Sequence, residues 1–143
     1  MGDNNGMLLE GEIRSDGRPV LVVDDSENNA AMLEIALSDI PEVRVVLASS
    51  AFEAWRILSG ADSSIRAIVT DLNMPRMDGF ELIRRIRADG RLAATPIVVV
   101  SADTDPGTPE RIARLGVSAY FPKPFSPFQV RRKLEQILNG TTV

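Results

Sequence analysis

The chain has 143 residues, of which 44% are hydrophobic and 25% are charged, as in an ordinary globular protein. A chain of this length forms one domain and can bury about two thirds of the surface that it exposes when unfolded. Its net charge of −4 provides no general attraction to nucleic acid or to an anionic membrane surface.

The sequence contains no cysteine and no histidine. This excludes disulfides, thiol catalysis, metal sites built from Cys or His, and Ser-His-Asp triads within the chain. It also excludes a role as a phosphohistidine donor. Any chemistry must therefore use carboxylates, hydroxyls, lysine and arginine.

We expect a cytoplasmic protein that does not associate with a membrane. The longest aliphatic runs, residues 20–23 and 97–100, are far shorter than the roughly 20 residues that a membrane-spanning helix needs. The N-terminal residues lack the basic start and apolar stretch of a secretory signal, and the absence of cysteine fits a reducing compartment.

The polar residues 1–18, which are rich in glycine, predict a flexible N-terminal tail. One ordered domain is expected over residues 19–140, with a short C-terminal tail over 141–143. Short apolar runs within this domain predict five strands, at residues 20–23, 43–48, 67–69, 97–100 and 118–121.

Helical spacing and capping residues predict a helix after each strand. These helices are expected over residues 26–39, 50–60, 78–90, 108–116 and 126–139. Ser50 and Glu53 form a capping-box pattern, and Thr108 before Pro109 is typical of a hydroxyl N-cap. Five alternating strand–helix units predict an α/β fold with a parallel sheet and helices on both faces.

Polar residues gather where the predicted strands end. Asp24 and Asp25 follow the first strand, Asp71 follows the third, Ser101 ends the fourth, and Lys123 follows the fifth. Ligands of open parallel sheets bind outside the carboxyl ends of the strands. If the first, third and fourth strands are central neighbours, these side chains converge in one pocket.

Such a pocket has a defined chemistry. Three clustered carboxylates repel one another and need a cation, and hard oxygen ligands suit Mg²⁺. Lys123 and Ser101 add donors for an anion. A dication, an ammonium group, a hydroxyl and a carboxylate nucleophile together make a site for phosphoryl transfer onto aspartate.

Taken singly, each residue also has an ordinary structural role. Asp24 or Asp25 could cap the first helix, Asp71 could stabilise a turn, Ser101 could cap a loop and Lys123 could be solvated. Their coincidence at the strand ends favours the functional interpretation. Other features favour structural roles: solvated helix faces for Arg84, Arg85, Arg87, Arg131, Arg132 and Lys133, loop shaping for Met74 and Met77, and a core or half-buried position for Trp55.

Four segments resemble the receiver domain of two-component response regulators, of the CheY-like type. They are Val-Leu-Val-Val-Asp-Asp at 20–25, Thr-Asp-Leu-Asn-Met-Pro at 70–75 with Met-Asp-Gly at 77–79, Val-Val-Val-Ser-Ala at 98–102, and Tyr-Phe-Pro-Lys-Pro-Phe at 120–125. Their order and spacing fit the family, and the match spans nearly all of the ordered chain. The resemblance implies a flavodoxin-like, doubly wound five-stranded parallel sheet in the order 2-1-3-4-5.

The resemblance also implies a role for each site residue. Asp71 is expected to be the phosphoacceptor, and Lys123 to contact the phosphoryl group. Ser101 is the expected switch hydroxyl, next to the small Ala102, and Tyr120 the switch aromatic. The expected metal ligands for Mg²⁺ are Asp24, Asp25, Asp71 and the main-chain carbonyl of Asn73. The Lys123–Pro124 bond is often cis in this family.

The implied function is signalling rather than enzymatic turnover of a substrate. A histidine kinase or histidine phosphotransfer protein would donate a phosphoryl group to Asp71. The surface of the fourth helix, fifth strand and fifth helix would then change for a downstream effector. Homodimerisation on phosphorylation is left open, and direct nucleic-acid or membrane binding is not expected.

The chain departs little from the family pattern. Serine stands at 101 where threonine is commoner, and Pro122, directly before Lys123, adds a second proline to the one at 124. Asn73 and Asp103 are expected to flank the path of the attacking water and to set the lifetime of the acyl phosphate.

Two other classes of function are compatible with part of this pattern. A phosphatase of the haloacid dehalogenase type also uses Asp, Ser or Thr, Lys and Mg²⁺, but needs a second acid two residues after the nucleophile, where this chain has Asn73. A receiver fold that takes no phosphate and only binds a partner is disfavoured by the intact acidic set.

Overall fold

The computed structural model describes residues 17–60 and 63–140. Most of the predicted tail 1–18, and all of the C-terminal tail 141–143, lie outside these residues. Strands and helices alternate along the chain. The strands are β1 (Arg18–Val23), β2 (Val43–Ala48), β3 (Ala67–Thr70), β4 (Ile97–Ser101) and β5 (Ala119–Pro122). The helices are α1 (Glu27–Ser38), α2 (Ala51–Leu58), α3 (Gly79–Ala88), α4 (Thr108–Arg114) and α5 (Pro127–Leu138).

The five strands form one parallel sheet in the order β2-β1-β3-β4-β5, which confirms the predicted topology. The central strands β1, β3 and β4 are almost entirely buried because helices cover both faces, and this explains their unbroken aliphatic sequences. No helix in the described part of the chain is long and apolar enough to cross a membrane.

Two hydrophobic cores fill the space between the sheet and the helices. One core joins α1 and α5 to side chains such as Val22 and Val98. The other joins α2, α3 and α4 to the alternate side chains, such as Leu21 and Val99. Successive strand residues point to opposite faces, so each central strand contributes to both cores.

Arg18 belongs to β1 rather than to the predicted tail. Its backbone pairs in register with Val43 of β2. Its guanidinium donates to the Pro41 carbonyl at 3.0 Å and to the Leu138 carbonyl at 3.2 Å. The apolar pattern begins only after Arg18, so hydrophobicity alone did not reveal that this polar residue ties β1 to the end of α5.

Thr108 is the first residue of α4 and not its N-cap, which is Gly107. The side chain of Thr108 is fully buried, and its hydroxyl donates to Asp103 Oδ1 at 3.0 Å. The hydroxyl is therefore engaged by the preceding loop instead of by the helix that it was expected to cap.

The capping box at α2 forms with a shifted return bond. Ser50 Oγ accepts from the Glu53 backbone N–H at 3.0 Å, as predicted. The Glu53 carboxylate accepts from the backbone N–H of Ser49 at 2.8 Å, one residue earlier than in the standard arrangement.

Gly79 is required by close packing where α3 begins. A Cβ atom on Gly79 would lie 2.2 Å from the Asp71 carbonyl oxygen and 2.7 Å from Leu72 Cα. The backbone N–H of Gly79 donates to the Leu72 carbonyl at 2.8 Å. The start of α3 therefore rests directly against the backbone of the residues that follow β3.

We predict that Gly79→Ala lowers the free energy of unfolding by about 1–3 kcal/mol, because the added methyl group forces backbone apart. Urea denaturation measures the change. Gly90→Ala is the matched control, since a Cβ there meets nothing within 4 Å. The control should be neutral or stabilising by less than about 1 kcal/mol. Equal stability of the two variants would contradict the packing argument.

Candidate functional site

The strand ends bring the predicted site residues together at one edge of the sheet. Asp24 follows β1, Asp71 follows β3, Ser101 ends β4 and Lys123 follows β5. The pairing of Val23 with Thr70 places the chain ends of β1 and β3 side by side. Asp24 and Asp71 are therefore neighbours because the two strands share a register.

Lys123 bridges the two buried carboxylates. Its Nζ lies 3.1 Å from Asp24 Oδ2 and 2.9 Å from Asp71 Oδ2. The Asp24 side chain has no exposed surface, and that of Asp71 is 8% exposed. One ammonium group thus compensates two buried negative charges. The Lys123–Pro124 peptide bond is cis, as the family resemblance implied.

Backbone N–H groups hold the remaining carboxylate oxygens. Asp24 Oδ1 accepts from the Ser26 backbone N–H at 2.9 Å, while Ser26 itself is the N-cap of α1. Asp71 Oδ1 accepts from the Leu72 N–H at 2.6 Å and from the Asn73 N–H at 3.3 Å. Asp71 thus has the turn-stabilising role that it could have had alone, together with the clustering, whereas the N-cap of α1 is Ser26 and not Asp24 or Asp25. These bonds fix the carboxylates of Asp24 and Asp71 in place.

Three carboxylates are close enough to share a cation. One oxygen from each of Asp24, Asp25 and Asp71 lies within 4.8 Å of the others, with Asp25 exposed and the other two buried. These oxygen donors, open to solvent on the Asp25 side, fit Mg²⁺, which takes few protein carboxylates and keeps several waters. The donor set therefore agrees with the predicted metal site.

The pKa values of the site reflect burial and pairing. Burial raises the pKa of Asp24 above its ordinary value, although the Ser26 N–H and Lys123 act in the opposite direction. Burial alone would lower the pKa of Lys123, but its hydrogen bonds to Asp71 and Asp24 outweigh this and raise it. Lys123 is therefore held as a cation, whereas the charged form of Asp24 is disfavoured.

Ser101 and Tyr120 both contact the loop after β4. Ser101 is fully buried, and its Oγ accepts from the Asp103 backbone N–H at 3.1 Å. The half-buried Tyr120 donates its hydroxyl to the Asp103 carbonyl at 3.2 Å. Burial, then the charges of Asp103 and Asp71, raise the pKa of Tyr120, so its hydroxyl stays protonated. The expected switch pair thus meets at one loop residue.

Arg87 was predicted to lie on a solvated helix face, and this prediction is wrong. Its guanidinium donates to four carbonyls at the ends of two loops, those of Ala93, Thr95, Leu115 and Gly116, at 2.7–3.1 Å. Burial lowers its pKa. The arginines on this helix gave no signal for this role, because the acceptors are backbone carbonyls of two loops, one of which lies almost 30 residues further along the chain.

The structural roles predicted for Arg84, Arg85, Met74, Met77 and Trp55 fit better, whereas Arg131, predicted to be solvated, is half-buried and pairs with Asp39. Arg84 and Arg85 are exposed and pair with Glu81 on α3. Met74 and Met77 are buried in the core beside the loop after β3. Trp55 is partly buried against the same core.

The chain belongs to the response regulator receiver domain family, whose model matches residues 20–135. It is 37% identical over 121 residues to the chemotaxis protein CheY1 of Helicobacter pylori strain J99, a match that covers 83% of this chain and 95% of that protein. It is 36% identical over 121 residues to a chemotaxis protein CheY homolog of Campylobacter jejuni, covering 83% of this chain and 91% of the relative. The protein is a CheY-like receiver domain of a two-component response regulator.

Solved structures agree with this assignment. A response regulator receiver protein of Pseudomonas putida is similar with a TM-score of 0.76 and 35% identity, covering 84% of this chain and 97% of that one. The chemotaxis response regulator CheY4 of Vibrio cholerae is similar with a TM-score of 0.74 and 29% identity, covering 85% and 98%. The flavodoxin-like, CheY-like fold predicted from the sequence is thereby confirmed.

We predict that Asp24→Asn raises the free energy of unfolding at pH 7 in metal-free buffer. Burial disfavours the Asp24 carboxylate, so its raised pKa stabilises the folded state at low pH, and this contribution is lost as the pH rises through that pKa. The neutral amide of the variant keeps this stabilisation at every pH. The difference in the free energy of unfolding between the variant and the unmodified chain should therefore shrink as the pH falls. Urea denaturation at several pH values measures this.

Asp25→Asn is the control, because Asp25 is exposed at the same site. Its replacement should change the free energy of unfolding by less than about 0.5 kcal/mol. If Asp24→Asn were less stable than the unmodified chain at pH 7, the bond from Lys123 to Asp24 would outweigh the cost of burying the carboxylate.

Proposed function

We propose that Asp71 of this receiver domain accepts a phosphoryl group from a histidine kinase or a histidine phosphotransfer protein, in a reaction that depends on Mg²⁺. The observation that carries the proposal is the pairing of the Lys123 ammonium with both Asp71 and Asp24 at the end of the sheet. This places a cation next to the nucleophile, where negative charge develops during phosphoryl transfer.

Each group of the site has a part in the transfer. The Leu72 and Asn73 N–H groups fix one oxygen of Asp71, which leaves the second oxygen on the Lys123 side as the nucleophile. Asp24, Asp25 and Asp71, with the Asn73 carbonyl, are the proposed ligands of Mg²⁺. When bound, the metal ion would neutralise charge on the phosphoryl oxygens and orient the donor.

The transfer balances without another reactant. A carboxylate oxygen of Asp71 forms a bond to phosphorus, and the bond from phosphorus to the donor nitrogen or oxygen breaks. The leaving group departs with that electron pair and takes a proton from solvent. Lys123 remains protonated and contacts the transferred group throughout.

The donor can approach along an open groove beside Lys123. Asn29, Met32, Ala102, Pro124 and Phe125 line this groove together with Lys123. The small exposed side chain of Ala102 leaves space next to Ser101, as expected for a position beside the switch hydroxyl.

Phosphorylation would then alter the surface formed by α4, β5 and α5, to which a downstream effector binds. The new charge on Asp71 attracts the Ser101 hydroxyl, and Tyr120 responds because both residues contact Asp103. A cyanobacterial phytochrome response regulator, RcpA, solved in its phosphorylated form, is similar to this chain with a TM-score of 0.77 and 25% identity, which supports the proposal.

The arrangement favours this function over a phosphatase. Two residues after Asp71 stands Asn73, whose backbone N–H donates to Asp71 Oδ1 and whose amide side chain is no acid. The acidic pair Asp24 and Asp25 directly follows β1, as in receiver domains. We therefore propose a phosphoacceptor signalling domain, with self-catalysed phosphorylation and dephosphorylation of Asp71, instead of an enzyme that turns over phosphate esters.

We predict that incubation with acetyl phosphate and Mg²⁺ adds one phosphoryl group to the chain, observed as intact-protein mass. Phosphoramidate, whose phosphorus–nitrogen bond resembles that of phosphohistidine, should label it as well. Asp71→Asn should abolish the adduct, and omission of Mg²⁺ should reduce it at least tenfold.

Asp78→Asn is the matched control, because Asp78 is an exposed acid on the same loop whose side chain caps α3. It should be labelled like the unmodified chain. Labelling that survives in Asp71→Asn would refute the assignment of the phosphoacceptor. Release of inorganic phosphate without a detectable adduct would favour the phosphatase.

A further inference from the structure

Asp103, two residues after Ser101, makes hydrogen bonds through its N–H, its carbonyl and one of its carboxylate oxygens. Its N–H donates to Ser101 Oγ at 3.1 Å, and its carbonyl accepts from the Tyr120 hydroxyl at 3.2 Å. Its Oδ1 accepts from the Thr108 hydroxyl at 3.0 Å and from the Asp105 N–H at 2.7 Å. One residue thus joins β4, β5 and the first residue of α4.

Burial makes two of these bonds hard to replace with water. Ser101 and Thr108 are both fully buried. A buried hydroxyl that loses its partner pays the cost of desolvation without compensation. Thr108 therefore moves together with the Asp103 carboxylate, and Ser101 moves together with the Asp103 backbone, unless the hydroxyl finds an equally strong hydrogen-bonding partner.

The two ends of α4 are held differently. Its N-cap, Gly107, makes no side-chain capping bond. The turn after its last residues is fixed by Arg87, which donates to the Leu115 and Gly116 carbonyls. At the N-terminal end, the Gly107 and Thr108 backbone N–H groups donate to Asp105 at 2.8 and 3.0 Å, and the bond from the Thr108 hydroxyl joins this end to Asp103.

We infer that Asp103 is a positioning residue that couples the Ser101 hydroxyl to the first turn of α4, through its carboxylate and Thr108. The inference rests on the proposed function only in naming phosphorylation of Asp71 as the event that displaces Ser101. When Ser101 Oγ turns towards the phosphoryl group, the Asp103 N–H loses its acceptor. The loop then shifts, and Thr108 moves with the carboxylate that binds it.

A double-mutant cycle tests the coupling without any phosphorylation. Ser101→Ala and Thr108→Val each remove a hydroxyl, and the two hydroxyls share Asp103 as a hydrogen-bonding partner. We expect the effect of the double variant on the unfolding equilibrium constant to differ by about twofold or more from the product of the single effects. Thr104→Val, at an exposed position in the same loop, should combine with Ser101→Ala without such a difference. Effects of Ser101→Ala and Thr108→Val that simply multiply would overturn the inference.

A second experiment follows the response to phosphorylation. Amide NMR signals of Ser101, Thr108 and Arg111 are compared before and after acetyl phosphate and Mg²⁺, with intact mass recorded for each sample. In Thr108→Val we expect the same labelling as in the unmodified chain and the same change of the Ser101 amide signal. The changes of the amide signals at position 108 and at Arg111 should fall to less than half of those in the unmodified chain. Full shifts in a labelled Thr108→Val sample would overturn the coupling.

Conservative replacement separates positioning from mere loop stability. Asp103→Asn keeps Oδ1 as an acceptor for Thr108 and should retain the α4 response, whereas Asp103→Ala should lose it. The chain has one tyrosine, so the ring signals of Tyr120 report the same event without overlap. If Asp103→Asn and Asp103→Ala lost the α4 response equally, the role of the carboxylate oxygen would be overturned. If the unmodified chain is not labelled, the proposed function fails while the thermodynamic cycle still decides the coupling.

Discussion

Two carboxylates that are buried side by side need a cation, and this constraint organises the edge of the sheet at which the strands end. Asp24 and Asp71 lie next to each other because β1 and β3 pair in register up to Val23 and Thr70. Lys123 reaches both from the far side of β4. Removing one partner of a buried ion pair leaves an uncompensated charge, which is costly. The position of the loop after β5 is thus tied to the chemistry at the end of β3.

Close packing at the same edge of the sheet explains why the first residue of α3, Gly79, is a glycine. The Asp71 backbone carbonyl is packed against Gly79, and Asp71 Oδ1 is fixed by the N–H groups of Leu72 and Asn73. Asp71, the proposed nucleophile, therefore has little freedom in its backbone or in one of its oxygens. If it accepts a phosphoryl group, a carboxylate held in this way needs little reorganisation when charge develops beside it.

The sequence predicted most of the fold because its local signals agree with one another. Apolar runs of three or four residues marked the buried strands β1, β3 and β4, and polar residues after each run marked the edge where a site forms. What it missed are side chains that act over long separations. Arg18 contacts the end of α5, and Arg87 donates to carbonyls near residue 116, although both look like solvated charges in sequence. Thr108 has the pattern of a cap, but its hydroxyl donates instead to the Asp103 carboxylate, five residues earlier.

These long-range contacts give α4 two unequal attachments. The Arg111 guanidinium lies 3.8 Å from the centre of the Phe80 ring, and Arg87 holds the turn that follows the helix, so the body and the end of α4 are joined to α3. The N-terminal end is joined instead to Asp103, which also contacts Ser101 and Tyr120. Since interactions with the site reach α4 at one end and α3 restrains the other, a change of charge at Asp71 would displace the first turn before the rest of the helix. A helix that is fixed at one end turns a small movement of a hydroxyl into a change of surface orientation.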